Sequence, residues 1–224
     1  MKIAVVGTDT GVGKTVVTAG LVGALRERGC DARAVKPAQT GFPPDDDANV
    51  VATVCDDPDA AVCLRYLTEP LAPAVAAEHE DADLSYQSIQ EETAAALTDA
   101  AVGVLEGIGG LRVPLADGRE VVDLVAALDC FAVVVARSGL GTLNHTALTI
   151  EALQRRNVPV LAVVLNEYDG TTIAERSNPH TLETMIDAPV VTMPSVEQAD
   201  LIDTASERLL PLLDPLPARG APDS

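Results

Sequence analysis

Lysine and aromatic residues are scarce in this 224-residue chain, which holds three lysines, 2% aromatic residues and no tryptophan. Acidic residues are abundant instead, with 34 Asp and Glu against 15 Lys and Arg, so the formal net charge is −19. A surface this acidic repels nucleic acids and anionic membranes over a large area, and we expect neither as a partner. We interpret the composition as adaptation to a high-salt cytoplasm, because a Debye length of about 3 Å at molar salt screens the self-repulsion.

Long apolar runs and paired cysteines are also missing. No apolar run comes near the length of about 18 residues that a transmembrane helix needs, which excludes such a helix. The chain enters an apolar segment directly, without a basic leader or a cleavage signal, and we therefore predict a cytoplasmic protein. Cys30, Cys55, Cys63 and Cys130 form no C-x-x-C pair, so we interpret them as buried or incidental thiols in a reducing compartment.

Short apolar runs alternate with helical patterns along the chain. The runs are nearly continuous in Val, Ile, Leu and Ala, as in strands buried on both faces. They predict an α/β fold with a doubly wound, mostly parallel sheet flanked by helices. The predicted strands are Lys2–Val6, Ala32–Lys36, Val102–Glu106, Cys130–Ala136, Pro159–Asn166 and Pro189–Met193. The predicted helices are Thr15–Arg28, Ala48–Val54, Ser85–Ala101, Val121–Leu128, Leu143–Arg156, Pro179–Ile186 and Val196–Leu213.

The length of the chain fits one α/β domain, which we predict to span residues 1–213. The Pro-rich segment 214–224 is typical of a disordered tail. Ligands of doubly wound sheets bind outside the carboxyl ends of the strands. We therefore expect the chemistry in the residues that directly follow each predicted strand.

The first of these positions holds a glycine-rich turn, GTDTGVGKT, which runs from Gly7 to Thr15. Backbone amides in such a turn line a hollow for phosphate, while a lysine reaches the β- and γ-phosphates and a hydroxyl binds Mg²⁺. Lys14 and Thr15 stand at these places. Five residues separate Gly7 from Gly13, one more than in the common pattern, so we predict a longer variant of the phosphate-binding loop.

Lys36 begins a second turn, KPAQTG, at the end of the next predicted strand. A lone lysine is usually a solvated surface charge, but a chain that otherwise avoids lysine has placed both Lys14 and Lys36 at strand ends. The same turn carries the hydroxyl of Thr40. We therefore predict that Lys36 and Thr40 contact a substrate or the γ-phosphate.

Two acidic residues are candidate ligands of Mg²⁺, which typically takes one or two carboxylates together with phosphate oxygens. Glu106 ends a predicted buried strand, where a charge is costly unless it is paired or binds metal. The glycines that follow it allow a ligand to approach the backbone closely. Asp47 closes the run Asp45 to Asp47, and spacing alone leaves open whether this run caps a helix or binds metal.

Two further strand ends carry polar residues that also have ordinary structural explanations. The turn GLGTLNH, residues 139–145, could bind a carboxylate or phosphate at a helix N-terminus, or be a plain turn capped by Thr142. Asn166 could hydrogen-bond adenine or cap a helix. The three histidines, His145 among them, lack partners at ligand spacing, and we interpret them as structural.

Taken together, these motifs resemble the dethiobiotin synthetases, ATP-dependent cyclo-ligases of biotin biosynthesis with a P-loop NTPase fold. The resemblance rests on GTDTGVGKT, KPAQTG, EGIGG, GTLNH and Asn166, which occur in the family's order and span roughly residues 2 to 200. It implies that one amine of 7,8-diaminononanoate takes up CO₂ as a carbamate, which ATP phosphorylates to a carbamic–phosphoric anhydride. The second amine then closes the ureido ring and releases phosphate. The resemblance also implies a homodimer.

The resemblance further implies a role for individual residues, in a reaction that asks mainly for positioning and charge neutralisation. The residues implied to be catalytic are Lys14 and Lys36 at the transferred phosphate and the carbamate, Thr40 at the substrate amine or carbamate, and Thr10 at the triphosphate. Those implied to hold Mg²⁺ are Thr15, Asp47 and Glu106. Those implied to bind ATP are Gly11, Val12, Gly13, Lys14, Thr15, Glu106, Gly107, Gly109, Gly110, Asn166 and Pro194. Those implied to reach the substrate carboxylate across the dimer interface are Thr142, Leu143 and Asn144.

Three positions depart from the family pattern. Gly11 stands where some members carry Glu, Ile108 replaces Ala, and Ala74 replaces the His of a Pro-His-x-Ala-Ala stretch. The last departure keeps open an amidoligase that acts on another small acid or amine. A partition- or maturation-type ATPase switch is a second alternative, although loops of that type usually open with an additional lysine that this chain lacks.

Overall fold

A computed structural model describes residues 1–213; the segment 214–224, predicted to be a tail, lies outside the described residues. The strands are β1 (Lys2–Gly7), β2 (Ala32–Lys36), β3 (Ala61–Cys63), β4 (Val102–Gly110), β5 (Pro114–Ala116), β6 (Arg119–Glu120), β7 (Phe131–Arg137), β8 (Val160–Asn166) and β9 (Val190–Thr192). Seven of them form one sheet in the order β3-β2-β4-β1-β7-β8-β9. Every pair in this sheet is parallel, while β5 and β6 form a separate antiparallel ribbon.

Helices connect the parallel strands, as the alternating pattern predicts. They are α1 (Lys14–Glu27), α2 (Asp47–Val54), α3 (Pro73–His79), α4 (Tyr86–Thr98), α5 (Val121–Ala127), α6 (Thr142–Gln154), α7 (Ile173–Met185) and α8 (Leu201–Arg208). No helix within residues 1–213 is both long and apolar enough to cross a membrane. The prediction of a doubly wound, mostly parallel sheet is confirmed.

The sheet is buried on both faces, which explains why its strands are apolar at successive positions. In β1, Ala4 and Val6 pack into one apolar cluster, whereas Ile3 and Val5 pack into a second cluster on the opposite face. Helices α4, α5 and α6 cover the first cluster, and α1 and α8 cover the second. All carboxyl ends of the parallel strands therefore meet at one edge, between the two helical layers.

Several predicted boundaries are wrong. Strand β4 continues past Glu106 to Gly110, because the glycine segment pairs with β1 through a bulge that sets Gly110 opposite Gly7. Helix α7 begins at Ile173 instead of Pro179, since Thr172 and Glu175 form a capping box ahead of it. The last helix is shorter than predicted and is flanked by short 3₁₀ turns. Strand β3 and helix α3 are absent from the prediction.

Candidate active site

The turn between β1 and α1 is shaped for an anion. Gly13, directly before α1, has φ 93° and ψ 27°, a left-handed conformation that glycine adopts without steric cost. Helix α1 starts with neither a capping side chain nor an acidic residue in its first turn, which leaves its first amides to a ligand. Lys14 is 7% exposed, and its ammonium folds back over the turn to donate to the carbonyl of Asp9 at 3.1 Å.

Asn166, at the end of β8, packs against this turn. Its side chain is buried, and its Nδ2 donates to the carbonyl of Val12 at 3.2 Å. A Cβ on Gly13 would overlap the same amide group, so the close approach of Asn166 requires glycine at position 13. The residue predicted to meet adenine thus also supports the phosphate loop.

Beside the loop, four polar side chains from α1, β2, α2 and β4 meet in what we call the ion cluster: Thr15, Lys36, Asp47 and Glu106. The Lys36 ammonium donates to Asp47, to Glu106 Oε1 at 3.0 Å and to the carbonyl of Gly107 at 3.2 Å. Thr15 Oγ1 lies 2.8 Å from Glu106 Oε1 and 3.0 Å from Asp47 Oδ1. Lys36 and Glu106 are 5% and 2% exposed.

Burial and mutual charge shift the pKa values of this cluster. Burial raises the pKa of Glu106, against the opposing effect of Lys36. Burial acts to lower the pKa of Lys36, but the charges of Glu106 and Asp47 outweigh it and raise that pKa. For Asp47, burial is likewise outweighed, and the Lys36 charge lowers its pKa. Burial, helped by the Lys36 charge, lowers the pKa of Lys14 to about 8.

The oxygen atoms of the ion cluster fit Mg²⁺. Asp47, Glu106 and Thr15 bring two carboxylates and a hydroxyl to one place next to the phosphate loop. Among residues 1–213, no group of three or more His, Cys, Asp or Glu side chains could hold a metal ion. A metal at this place therefore needs further oxygens, which a bound nucleotide would supply.

A cavity of about 570 Å³ opens over the loop and the ion cluster. The predicted site residues that line it are Thr10, Gly11, Gly13, Lys14, Thr15, Lys36, Thr40, Asp47 and Gly109. The predicted site residues outside its lining are Val12, Glu106, Gly107, Gly110, Thr142, Leu143, Asn144, Asn166 and Pro194. The first group combines phosphate-binding, cationic and hydroxyl groups around one space.

The three aspartates at the start of α2, Asp45 to Asp47, have different contacts, which the sequence alone does not predict. Asp46 caps α2 by accepting from the backbone amide of Asn49 at 3.1 Å. Asp47 instead turns toward Thr15 and Lys36. Asp45 is exposed and lines the cavity.

Gln39 is a site residue that the sequence prediction missed. Its side chain is buried, its Oε1 accepts from the backbone amide of Asp47 at 3.2 Å, and its Nε2 donates to the carbonyl of Thr40 at 2.9 Å. It therefore holds Asp47 and Thr40 relative to each other. The only sequence signal is its place between small residues in KPAQTG, directly after a strand.

The residues predicted at the substrate carboxylate follow β7, and Pro194, predicted to bind ATP, follows β9, with β8 between these two strands in the sheet. Thr142 to Asn144 form the first turn of α6, where Thr142 is buried and Asn144 is exposed. Pro194 follows β9 next to Met193, whose carbonyl accepts from the amide of Tyr168 at 3.0 Å. This bond ties together the segments that follow β8 and β9.

A family model described as an AAA domain matches residues 1–204. The chain is 63% identical over 196 residues to the ATP-dependent dethiobiotin synthetase BioD of Haloferax mediterranei, which covers 88% of this chain and 84% of that protein. It is 44% identical over 211 residues to the protein of the same name from Rhodococcus jostii, over 92% and 88% of the two chains. A third such protein, from Anaeromyxobacter sp., is 46% identical over 72% of this chain and 74% of its own.

Solved structures resemble the fold at much lower identity. The septum site-determining protein MinD from Pyrococcus horikoshii matches with a TM-score of 0.58 and 18% identity, over 92% of this chain and 85% of that one. The receptor FtsY from Elizabethkingia anophelis matches with a TM-score of 0.59 and 16% identity, over 92% and 63%. These likenesses support the doubly wound fold alone.

Proposed function

The chain belongs to the dethiobiotin synthetase family, and from this premise we propose that it converts 7,8-diaminononanoate, CO₂ and ATP into dethiobiotin, ADP and phosphate. The observation that carries the proposal is the ion cluster beside the phosphate loop, under a cavity with room for a nucleotide and a small substrate. The partition- or maturation-type switch is not favoured, since the similar curated proteins are named as synthetases.

The two buried lysines stabilise the phosphoryl group during its transfer. Within residues 1–213, Lys14 donates only to a neutral carbonyl, and a phosphate oxygen is a stronger acceptor for its ammonium. Lys36 lines the same cavity as the phosphate loop and Thr40, where it can neutralise both the carbamate and the transferred group. Thr15, Asp47 and Glu106 would hold Mg²⁺, which neutralises charge on the phosphates.

Ring closure requires two attacks on one carbon atom. The nitrogen of the first amine attacks CO₂ and loses a proton, and an oxygen of the resulting carbamate attacks the γ-phosphorus while ADP leaves. The second amine then attacks the carbamoyl carbon, the bond from that carbon to the phosphate oxygen breaks, and a proton is lost. Thr40 and Lys36 orient the carbamate in this sequence, and Thr10 and the glycine-rich turn hold the triphosphate.

We further propose a cytoplasmic homodimer in which α6 of one subunit completes the site of the other. Leu140, before α6, is 97% exposed, and Leu148 on α6 is 56% exposed, which supports contact between subunits on this side. The first turn of α6, Thr142 to Asn144, would then receive the substrate carboxylate of the partner. Free cysteines among the described residues suit a reducing compartment.

The test measures phosphate release from Mg-ATP in high KCl with bicarbonate, with and without 7,8-diaminononanoate, and the mass of the product. We expect release that depends on the diamine, together with the mass of dethiobiotin, and no release from Lys14→Ala. ATP turnover that does not depend on the diamine, in a folded sample, would contradict the proposal. It would favour a ligase for another amine or a switch ATPase.

A further inference from the structure

A buried polar cluster outside the cavity connects α7 with the turn that precedes α6. Its members, which we call the α7 cluster, are Ser138, Glu175 and Asn178, with exposed fractions of 4%, 9% and 5%. None of them lines the cavity over the phosphate loop. Buried polar side chains are costly unless they are hydrogen-bonded, so the contacts of this cluster have to account for its presence.

Asn178 binds the backbone of the turn directly. Its Nδ2 donates to the carbonyl of Ser138 at 2.8 Å and to the carbonyl of Gly139 at 3.0 Å. Both amide hydrogens of the side chain are thereby used on two successive peptide groups. An interaction of this kind fixes the orientation of both peptide planes.

Glu175 holds the rest of the cluster in place. One of its oxygens lies 3.0 Å from the Ser138 hydroxyl, which also lies 3.2 Å from the carbonyl of Glu167. The other oxygen accepts from the backbone amides and hydroxyls of Thr171 and Thr172, at 2.9 to 3.1 Å. Hydrogen bonds, first that from the Thr172 backbone, lower the pKa of Glu175 to about 2, so the carboxylate stays charged.

The orientation of these peptide planes has a consequence for α6. In a trans peptide the N–H points opposite to the C=O, so the amides of Gly139 and Leu140 point away from Asn178. Gly141 follows with φ 93° and offers α6 no capping side chain. Over residues 1–213, the backbone amides of Gly139 and Leu140 make no backbone hydrogen bond in this turn, whereas the amide of Thr142 donates to the carbonyl of Gly139 at 3.4 Å. Successive unpaired amides at a helix N-terminus form a concavity suited to an anion.

We propose that Asn178 is a positioning residue for substrate specificity, and that Ser138 and Glu175 support it. The proposal rests on the proposed function, in which the first turn of α6 receives the substrate carboxylate. Asn178 aligns the amides of Gly139 and Leu140 with those of α6, and so widens the carboxylate site beyond Thr142 to Asn144. The residue acts on the carboxylate end of the diamino acid and leaves the phosphate loop untouched.

The test compares Asn178→Ala with the wild type and with Ser177→Ala, which removes an exposed hydroxyl from the adjacent position of α7. The KM for 7,8-diaminononanoate is measured, together with the KM for ATP and the competition constant of 2,3-diaminononane. This competitor has the same diamine and chain length but no carboxylate. We expect Asn178→Ala to raise the KM for diaminononanoate about tenfold, within what a helix N-terminus contributes to anion binding.

The constants for ATP and for 2,3-diaminononane should stay within about twofold of the wild type, and Ser177→Ala should change none of them. If Asn178→Ala weakens the binding of diaminononanoate and of 2,3-diaminononane equally, the inference is overturned, because such a result would mean a general loss of structure. If Asn178→Ala does not fold, Ser138→Ala takes its place with an expected rise of about threefold, and no rise in that variant refutes the role. Failure of the wild type to form dethiobiotin would instead refute the proposed function.

Discussion

The pair formed by Lys36 and Glu106 can be tested by unfolding, independently of catalysis. Glu106→Gln keeps the shape of the side chain and an oxygen for Thr15 and Lys36, but it removes the charge from the interior. At the observed separation of 3.0 Å, Coulomb's law with an effective dielectric constant of 20 gives an attraction of about 5.5 kcal/mol. The net loss is smaller, because Glu106 no longer has to be desolvated as a charge and Asp47 still pairs with Lys36.

We therefore expect Glu106→Gln to lower the free energy of unfolding by about 2 kcal/mol, below the 3–5 kcal/mol typical of a fully broken buried pair. Lys36→Met should cost about 3–5 kcal/mol, since it leaves two adjacent carboxylates without their cation. The double variant should be more stable than the sum of the single losses predicts, by about 2 kcal/mol. This excess is the coupling between the two side chains.

The assay is urea unfolding followed by far-UV circular dichroism, in EDTA and high KCl, because the chain has no tryptophan. EDTA removes any metal that could stabilise the carboxylates in its own right. Asp45→Asn, which changes an exposed carboxylate of the same cavity, is the matched control and should stay within about 0.5 kcal/mol of the wild type. The role of the buried pair would be refuted if the loss of unfolding free energy in the double variant equals the sum of the single losses, or if Glu106→Gln is as stable as the wild type.

Three further predictions concern the phosphate loop and the surface. The affinity for ATP should fall as the pH rises from about 7 to 9.5, because Lys14, with a pKa of about 8, loses the charge that a bound triphosphate favours. Calorimetry in two buffers should show proton uptake on ATP binding, and an affinity that does not change with pH would contradict this prediction. Gly13→Ala should weaken ATP binding at least tenfold and lower the stability by about 1–3 kcal/mol, because its Cβ overlaps Asn166 at a positive φ. The control is Gly118→Ala: Gly118 has a similar φ of 70°, but nothing lies within 4 Å of the added Cβ, so this variant should lose only the backbone strain of about 1 kcal/mol. Equal losses of stability in the two variants would show that the overlap with Asn166 is not the cause. Finally, the melting temperature should rise with KCl up to molar concentrations if the charge of −19 is an adaptation to salt, and a temperature that does not rise would refute that interpretation.

Elements with a strong local signal were predicted well. Strand β2 has the predicted bounds. Helix α1 begins within one residue of its predicted start, because the glycine-rich turn marks that start in the sequence. Strand β3 has only three residues, too few for an apolar run to stand out. Helix α7 was placed at Pro179, although Thr172 and Glu175 carry the T-x-x-E signal of a helix start, which the prediction overlooked.

The candidate site shows the same division between local and distant information. Lys36, at the end of β2, and Lys14, after the turn that follows β1, could be predicted to lie near each other because parallel strands bring their carboxyl ends to one edge. Gln39 and Asn178 were missed, since their function depends on backbone groups of other segments that no periodicity records.

The amino-acid sequence by itself determined the type of sheet and the position of the glycine-rich turn at its edge, because each depends on hydrophobic pattern or on neighbours in the chain. Only the tertiary structure decided how charges are shared: that one ammonium, Lys36, serves both Asp47 and Glu106, and that Asp46 caps a helix while Asp47 faces the site. The physical reason is that hydrogen bonds and ion pairs act over about 3 Å. Partners at that distance within the ion cluster come from segments up to 91 residues apart, and only packing brings them together.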